Sequence, residues 1–219
     1  MADVLVLVEA RLRDALGEPD ARAAVTFLGT DRFEVLRFRA GTEEPPAAKA
    51  SGASGAAGTG DGGPDGLVRY ATLGMSARPM AEPTAAFADP VAGPRAELLL
   101  TVRSGLADTD KVLRALTVLA ASPQVEGVVV APGASLDLGA PLWPGAPFSS
   151  VLAGEPGGLV PDLELDSPLD PVRFLPLLPM TPNEAAWKRV HGAAALQERW
   201  LRFGTDLRDP LRAPVRLDD

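Results

Sequence analysis

The side chains that could perform chemistry in this chain are few, and they centre on one histidine. His191 is the single histidine among 219 residues, and the chain contains no cysteine. Without thiolates or a second imidazole, a zinc site would have to consist mostly of carboxylates, which is unusual. The sequence also lacks the Gly-x-Ser-x-Gly elbow of many serine hydrolases and a glycine-rich phosphate-binding motif. We therefore expect no catalytic residue, no metal ion and no cofactor, and we interpret His191 as part of a helix bend.

One group of carboxylates has a spacing that could serve a function. Asp162, Glu164 and Asp166 alternate with Leu163 and Leu165, so on a strand all three carboxylates would project from one face. Such a face could bind a basic partner or a hard cation, although a solvated surface is the commoner outcome. Carboxylates with well-separated pKa values also perform acid–base chemistry, so a carboxylate-based hydrolase that uses the histidine remains an alternative.

Two aromatic residues lie in or beside a long loop rich in glycine and proline, at residues 131–147. Trp143 stands in Leu-Trp-Pro-Gly, and Phe148 follows the loop. Loop aromatics can anchor a partner protein; alternatively, Trp143 folds back onto the core. We expect Trp143 and Phe148, together with Asp162, Glu164 and Asp166, to contact a partner.

The charge of the chain narrows the classes of partner. With a net charge of −8 and a pI near 4.8, we expect no nucleic-acid partner, since such binding depends on neutralising phosphates with Lys and Arg. A basic protein surface would complement this charge, while solubility alone also explains it. No apolar run approaches the roughly 20 residues of a membrane span, so we expect no membrane partner. The lack of cysteine suits a cytoplasmic protein.

The elements that must position these residues include three predicted helices. Apolar spacing predicts a helix over residues 3–16 and a second that begins at Asp108 and ends at Pro123. The tetrad Thr-Pro-Asn-Glu at 181–184 is a capping box with proline at the first helical position. It predicts a closing helix over residues 182–203, bent at Gly192.

Runs of β-forming residues predict the sheet. The candidate strands are residues 24–28, 33–38, 67–75, 97–102, 125–130, 148–152, 159–165 and 172–178. Pro176 lies inside the last run and predicts an edge strand or an early end, because proline cannot donate a ladder hydrogen bond. Short strands interrupted by helices predict an α+β fold with a mixed, mainly antiparallel central sheet flanked by about three helices.

One segment has the composition of a linker. Residues 41–66 are rich in Gly, Ala, Pro and Ser and offer no residues that could pack. About forty residues precede this segment, too few for an independent domain. We therefore expect one domain over residues 1–219, with a disordered insert at 41–66 and a short C-terminal tail at 205–219.

Four segments, in this order, resemble the pattern of one known family. Tyr70–Ser76 resembles a strand motif of the form Tyr-x-[Thr/Ser]-x-Gly-[Leu/Met]-Ser, and Glu97-Leu98 resembles the start of the next strand. Residues 147–152, with Glu-Pro at 155–156, resemble a middle section, and residues 174–200 a closing strand and helix. Together these segments are similar to the Suppressor of fused (SUFU) domain family in its single-domain bacterial form.

The resemblance implies an α+β domain with a non-enzymatic, protein-binding role. Animal members sequester a zinc-finger transcription factor by clamping a short peptide between two lobes through strand addition; this chain is expected to hold only one lobe. Many bacterial members are thought to be immunity proteins. We therefore expect a protein-binding module that neutralises a toxin domain, with two alternatives: a regulatory scaffold that binds an extended peptide by strand addition, and the carboxylate-based hydrolase.

Overall fold

A computed structural model describes residues 3–39, 66–81 and 89–218 of the chain. The predicted insert at 41–66 lies almost wholly outside these residues. In chain order the described helices and strands are α1 (Val4–Leu16), β1 (Ala21–Thr26), β2 (Arg32–Arg39), β3 (Leu67–Leu73), β4 (Arg95–Arg103), α2 (Val112–Glu126), β5 (Ser135–Asp137), β6 (Ser150–Ala153), β7 (Val172–Met180), α3 (Pro182–His191) and α4 (Ala193–Arg202). Two short 3-10 turns, Met75–Ala77 and Thr109–Lys111, precede β4 and α2.

The seven strands form one sheet in the order β1-β2-β3-β4-β7-β6-β5. Every neighbouring pair is antiparallel except β4 and β7, which are parallel. The predicted α+β fold with a mixed, mainly antiparallel sheet is confirmed. The helix count is four because the closing helix divides into α3 and α4 at Gly192, whose φ of 90° is unsuited to a continuous helix.

The prediction that Pro176 would place its strand at a sheet edge is wrong. β7 lies inside the sheet between β4 and β6, and Pro176 pairs with Leu99. The carbonyl of Pro176 accepts a hydrogen bond of 2.8 Å from the N–H of Gly154. A Cβ on Gly154 would lie 3.2 Å from Cγ of Pro176, so the glycine gives the proline ring its space.

The predicted strand at 125–130 is also wrong, because α2 continues through Pro123 to Glu126. In a helix the N–H of residue 123 would bond the carbonyl of Leu119, and proline has no N–H. The hydroxyl of Ser122 donates to that carbonyl instead, at 2.8 Å. The helix then ends at Gly127 in the left-handed conformation. A local side-chain bond thus allows the helix to pass the proline.

The predicted strand at 159–165 is reduced to a single bridge. Leu163 exchanges two backbone hydrogen bonds of 2.9 Å with Val172, the first residue of β7. The residues on either side of Leu163 belong to no strand. The carboxylates of this segment therefore do not form the regular strand face that the alternation predicted; they lie on a loop at the start of β7.

The two faces of the sheet are covered differently. On one face α2 and the loop after it bury the larger core, which includes Phe33, Tyr70, Leu98, Leu100, Leu116, Trp143 and Phe148. On the other face α1 covers β2 and β3, where Leu36, Phe38 and Phe174 are buried with Val8 and Leu12. At the far end of that second face, α4 packs through Leu196 and Trp200 on Leu152 and Met180.

A buried carboxylate, Glu97 on β4, organises the turn that follows β3. Glu97 is fully buried and accepts hydrogen bonds from the backbone N–H groups of Gly74 and Ser76 and from the hydroxyls of Thr72 and Ser76, at 2.6–3.0 Å. Gly74 has a φ of 132°, and a Cβ there would lie 2.7 Å from the carbonyl oxygen of Arg32. The Tyr70–Ser76 motif is therefore a strand and turn built around one carboxylate.

We predict that Glu97 supports the fold rather than any reaction. Replacing Glu97 with alanine removes the acceptor for four buried donors and should lower the free energy of unfolding by about 3 kcal/mol or more. Glu97→Gln keeps the shape and should cost less. Urea unfolding of both variants measures whether Glu97→Ala loses more free energy of unfolding than Glu97→Gln. Equal losses would contradict the proposed role of the hydrogen-bond network.

The same residue gives a pH dependence of known sign. Burial raises the pKa of Glu97 above its ordinary 4.5, and its hydrogen bonds oppose that rise only in part. The stability that the proton contributes is present below pH 4.5 and declines as pH rises through the raised pKa. Wild type should therefore lose stability relative to Glu97→Gln on going from about pH 4 to pH 8. A constant difference would contradict the shift.

Candidate functional site

A second buried carboxylate, Glu184, joins the start of α3 to the C-terminal segment, which we define as residues 205–218. The predicted capping box is present: the N–H of Glu184 donates to the Thr181 hydroxyl, and the Glu184 carboxylate accepts from the Thr181 N–H. The same carboxylate forms a two-pronged ion pair with Arg212, at 2.7 and 2.9 Å. Trp200 Nε1 and the N–H of Val215 also donate to it.

Arg212 is buried among groups that satisfy most of its donors. Besides Glu184 it donates to the carbonyl of Pro179 at 2.6 Å. Its guanidinium lies 4.8 Å from the ring centre of Phe148 and 5.6 Å from that of Trp200. The segment predicted to be a short tail is therefore packed against β7 and α4 through Arg212. No pattern in the neighbouring sequence predicts this contact.

The C-terminal segment forms one wall of an apolar groove on the second face of the sheet. Two adjoining cavities, of ≈ 110 and ≈ 340 Å³, share Leu178 and Leu207. β4 and β7 supply the floor, α4 and the C-terminal segment one side, and the loop at 157–160 the other. The lining side chains include Leu99, Thr101, Leu159, Pro176, Leu178, Leu201 and Leu207.

The groove exists because the helices do not cover the whole sheet face. α1 packs over β2 and β3, and α4 packs over the end of β6 and β7, so the middle of β4 and β7 lies between them. Leu201 on α4 is 83% exposed and Leu159 is 42% exposed. Large apolar side chains that remain exposed around a cavity are typical of a surface that binds another molecule.

Charged residues of opposite sign lie next to the groove. The loop at residues 161–170, which we call the acidic loop, meets the first residue of β7 through Leu163. At the other end Arg208 lines the groove, and its backbone carbonyl accepts a hydrogen bond of 2.8 Å from the N–H of Arg103. Both arginines pair with Asp206. Burial raises the pKa of Asp206, but these bonds outweigh burial and lower it to about 2.

A separate polar cavity of ≈ 120 Å³ lies beside Tyr70, on the face of the sheet that α2 covers. The Tyr70 hydroxyl donates to Asp110 at 2.8 Å, and Asp110 also pairs with Arg37. Burial raises the pKa of Asp110, but these partners reverse the effect and lower it. Burial also raises the pKa of Tyr70. Asp110 is therefore ionised and paired while Tyr70 is neutral, an arrangement suited to joining β2, β3 and the turn before α2.

The sequence-predicted contact residues fall into two groups. Trp143 and Phe148 are each 1% exposed and pack edge to face, with ring centres 5.8 Å apart. Of the two alternatives for Trp143, the structure thus has it folded onto the core. Asp162 pairs loosely with Arg173 at 3.6 Å, while Glu164 and Asp166 are exposed. A partner-binding role stays a prediction for all five, and the buried aromatics present no surface for it.

His191 lies away from the three cavities described above. Its ring stacks on Trp187, with centres 4.1 Å apart, and the side chain is exposed at the end of α3. Glu97 and Glu184 are both fully buried, each in its own hydrogen-bond network, so neither can reach a substrate. In the described part of the chain no three His, Cys, Asp or Glu side chains are grouped to hold a metal ion.

No helix among the described residues is long and apolar enough to cross a membrane. The groove residues that the sequence missed include Leu178, Leu201 and Leu207. Each belongs to a different element, so no local pattern joins them. The one available signal was Leu201, an apolar residue directly after the buried Trp200 on a helix that is otherwise polar on that side.

The fold and the groove together define a class: an α+β domain whose buried polar groups hold the structure and whose open apolar surface lies on the sheet. The model of the Suppressor of fused protein (SUFU) family matches residues 30–213. The chain therefore belongs to the SUFU family. Among curated proteins, none matches the sequence.

Solved structures share this fold across most of the chain. A SUFU homolog from Neisseria gonorrhoeae FA 1090 has a TM-score of 0.64 at 17% identity, over 99% of each chain. A chain of the Sufu–Fu complex has a TM-score of 0.56 at 10% identity, covering 97% of this chain and 90% of that one. Drosophila Suppressor of Fused has a TM-score of 0.55 at 11% identity, and this chain corresponds to 46% of its length.

We predict that the ion pair between Glu184 and Arg212 fixes the groove wall. Arg212→Met leaves the Glu184 carboxylate buried without its partner and should lower the free energy of unfolding by about 3–5 kcal/mol. Hydrogen exchange should accelerate at the amides of Val215 and Arg103, which bond across this segment. Unchanged exchange at both amides would show that the wall is held by other contacts.

The pH dependence of this pair has the opposite sign to that of Glu97. Burial raises the pKa of Glu184, but Arg212 and the backbone N–H groups outweigh burial and lower it below 4.5. The pair therefore contributes stability above pH 4.5, and this contribution is lost as pH falls through the lowered pKa. The stability difference between wild type and Glu184→Gln should be larger at about pH 7 than at about pH 3. An equal difference would contradict the assignment.

Proposed function

We propose that this chain is a non-enzymatic protein-binding module that holds its partner in the apolar groove, and that it acts as an immunity protein by neutralising a toxin domain. The observation that carries the proposal is the open groove between α1 and α4, edged by the exposed Leu201. An exposed leucine next to a preformed apolar cavity gains burial when a partner covers it.

Membership in the SUFU family supports a protein as the partner. A relative with the same fold forms the Sufu–Fu complex. The immunity role follows the single-domain bacterial form that the sequence resembles, and the bacterial homolog of similar fold is covered over 99% of its length. With no cysteine in the chain, we place the interaction in the cytoplasm.

The net negative charge of the chain supports a basic surface on the toxin domain. Only part of this negative charge lies on residues that the structure describes. Six acidic residues lie outside the described residues: Glu43, Glu44, Asp61, Asp65, Glu82 and Asp219. On the described surface the acidic loop offers exposed carboxylates beside the groove. A basic patch on the partner would contact this loop while apolar side chains fill the cavity.

A second candidate function rests on the edge strand β1. This strand has six residues, no proline and no lysine, and its single arginine is paired with Glu9 and Glu34. Among the described residues no strand pairs with its outer side. Such an edge can accept an extended peptide by strand addition, which would suit a regulatory scaffold rather than an immunity protein.

We predict that Leu201→Asp weakens partner binding at least tenfold while leaving the fold intact. Leu201 is 83% exposed, so a carboxylate there remains solvated in the free protein but would be buried against an apolar partner. Val190→Asp is the matched control, because Val190 is 78% exposed on α3 and lies outside the groove. Partners captured from the native lysate should be lost with the first variant and kept with the second.

The immunity role has its own test. The chain is co-expressed with each toxin encoded near its gene, and growth is compared for wild type, Leu201→Asp and Val190→Asp. Protection should require Leu201 and tolerate the change at Val190. Absence of protection by the wild type would reject the immunity role. If the partner is lost with Ala23→Pro in β1 but kept with Leu201→Asp, the regulatory scaffold is favoured.

A further inference from the structure

We infer that the groove selects a partner segment of split charge: an apolar centre with basic residues on one side and acidic residues on the other. The inference rests on the proposed function and adds the chemistry of the partner to it. The observation behind it is that the floor of the groove runs along β7, with the acidic loop joined to the first residue of that strand and Arg208 in the lining of the cavity.

The acidic end lies at the start of β7. Leu163 holds the acidic loop to Val172 by two backbone hydrogen bonds. Asp162 faces Arg173, but Glu164 and Asp166 form no ion pair within the described part of the chain, and both are exposed. This end therefore carries more carboxylate than its own arginine neutralises.

The basic end lies near the last residues of β7. Because β4 and β7 are parallel and Leu100 pairs with Leu177, Arg103 at the end of β4 lies beyond that level. Arg103 and Arg208 share a single carboxylate, that of Asp206. Arg202, the last residue of α4, has its guanidinium 5.7 Å from the ring centre of Phe203, and it forms no ion pair within the described part of the chain. This end therefore carries more positive charge than Asp206 neutralises.

The spacing of the two ends sets the size of the partner segment. From Val172 to Leu178 the strand rises about 20 Å, at about 3.3 Å per residue. An extended segment of about six or seven residues spans that length, and the apolar lining at Phe174, Pro176 and Leu178 takes its central side chains. A segment of uniform charge would gain at one end of the groove and lose at the other.

The direct test uses a library of random 12-residue peptides selected on the immobilised full chain. Selected peptides should have an apolar centre flanked by Lys or Arg on one side and Asp or Glu on the other. Their binding should weaken at least tenfold on Leu201→Asp. Three results would each overturn the inference: selected peptides of uniform charge, selected peptides without any charge preference, or no more selection on the wild-type chain than on Leu201→Asp.

Charge exchange at one end should change the selection in a defined direction. With Glu164→Lys and Asp166→Lys combined, both ends become basic, and peptides with acidic residues on both sides should bind best. Arg208→Glu should favour peptides that are basic on both sides. If this change disturbs the C-terminal segment, Arg202→Glu replaces it as the charge exchange at the same end. Glu126→Lys and Arg114→Glu, exposed on α2, are matched controls that should select the wild-type pattern. Unchanged selection by the exchanged variants would contradict the inference.

The outcomes separate this inference from the function on which it rests. If the native partner is lost on Leu201→Asp but selected peptides show no charge order, the groove binds and only the charge selection fails. If the native partner binds Leu201→Asp as well as wild type, the proposed use of the groove fails.

Discussion

The contact on which the apolar groove depends is the buried ion pair between Glu184 and Arg212. It joins residues 28 positions apart, and it is closed by Trp200, Val215 and the carbonyl of Pro179. A buried charge pair contributes little net stability compared with apolar packing, yet losing one partner is costly. Its effect is therefore on specificity: the C-terminal segment has one favourable position, and that position defines a wall of the groove.

The two buried glutamates show what the family-like motifs contribute to the structure. Glu97 is the acceptor around which the Tyr70–Ser76 turn is built, and Glu184 caps α3 and pairs with Arg212. Carboxylates that perform acid–base chemistry must be reachable by a substrate, and both of these are sealed. The motifs on which the family resemblance rests therefore hold the fold together.

The extent to which the sequence predicts the structure follows from the range of each interaction. The capping box at Thr181, the break at Gly192 and the mixed sheet depend on neighbours within a few residues or on composition, and they were predictable. Pro176 in a central strand depends on Gly154, a residue 22 positions away. The groove depends on leucines from different elements, so only the fold brings them together.

A wall held by a buried charge pair also affects the energetics of binding. Breaking the pair would cost about 3–5 kcal/mol, a large share of the 5–15 kcal/mol that stabilises a typical domain. The C-terminal segment is therefore ordered before a partner arrives, and the partner does not have to supply the free energy of ordering it. In the proposed complex, the exposed Leu201 and the charges next to the groove would then contribute to affinity and orientation. The Glu184–Arg212 pair holds both the groove wall and the fold. Moving the C-terminal segment would break this pair and destabilise the domain, so the segment stays in place and the groove stays open.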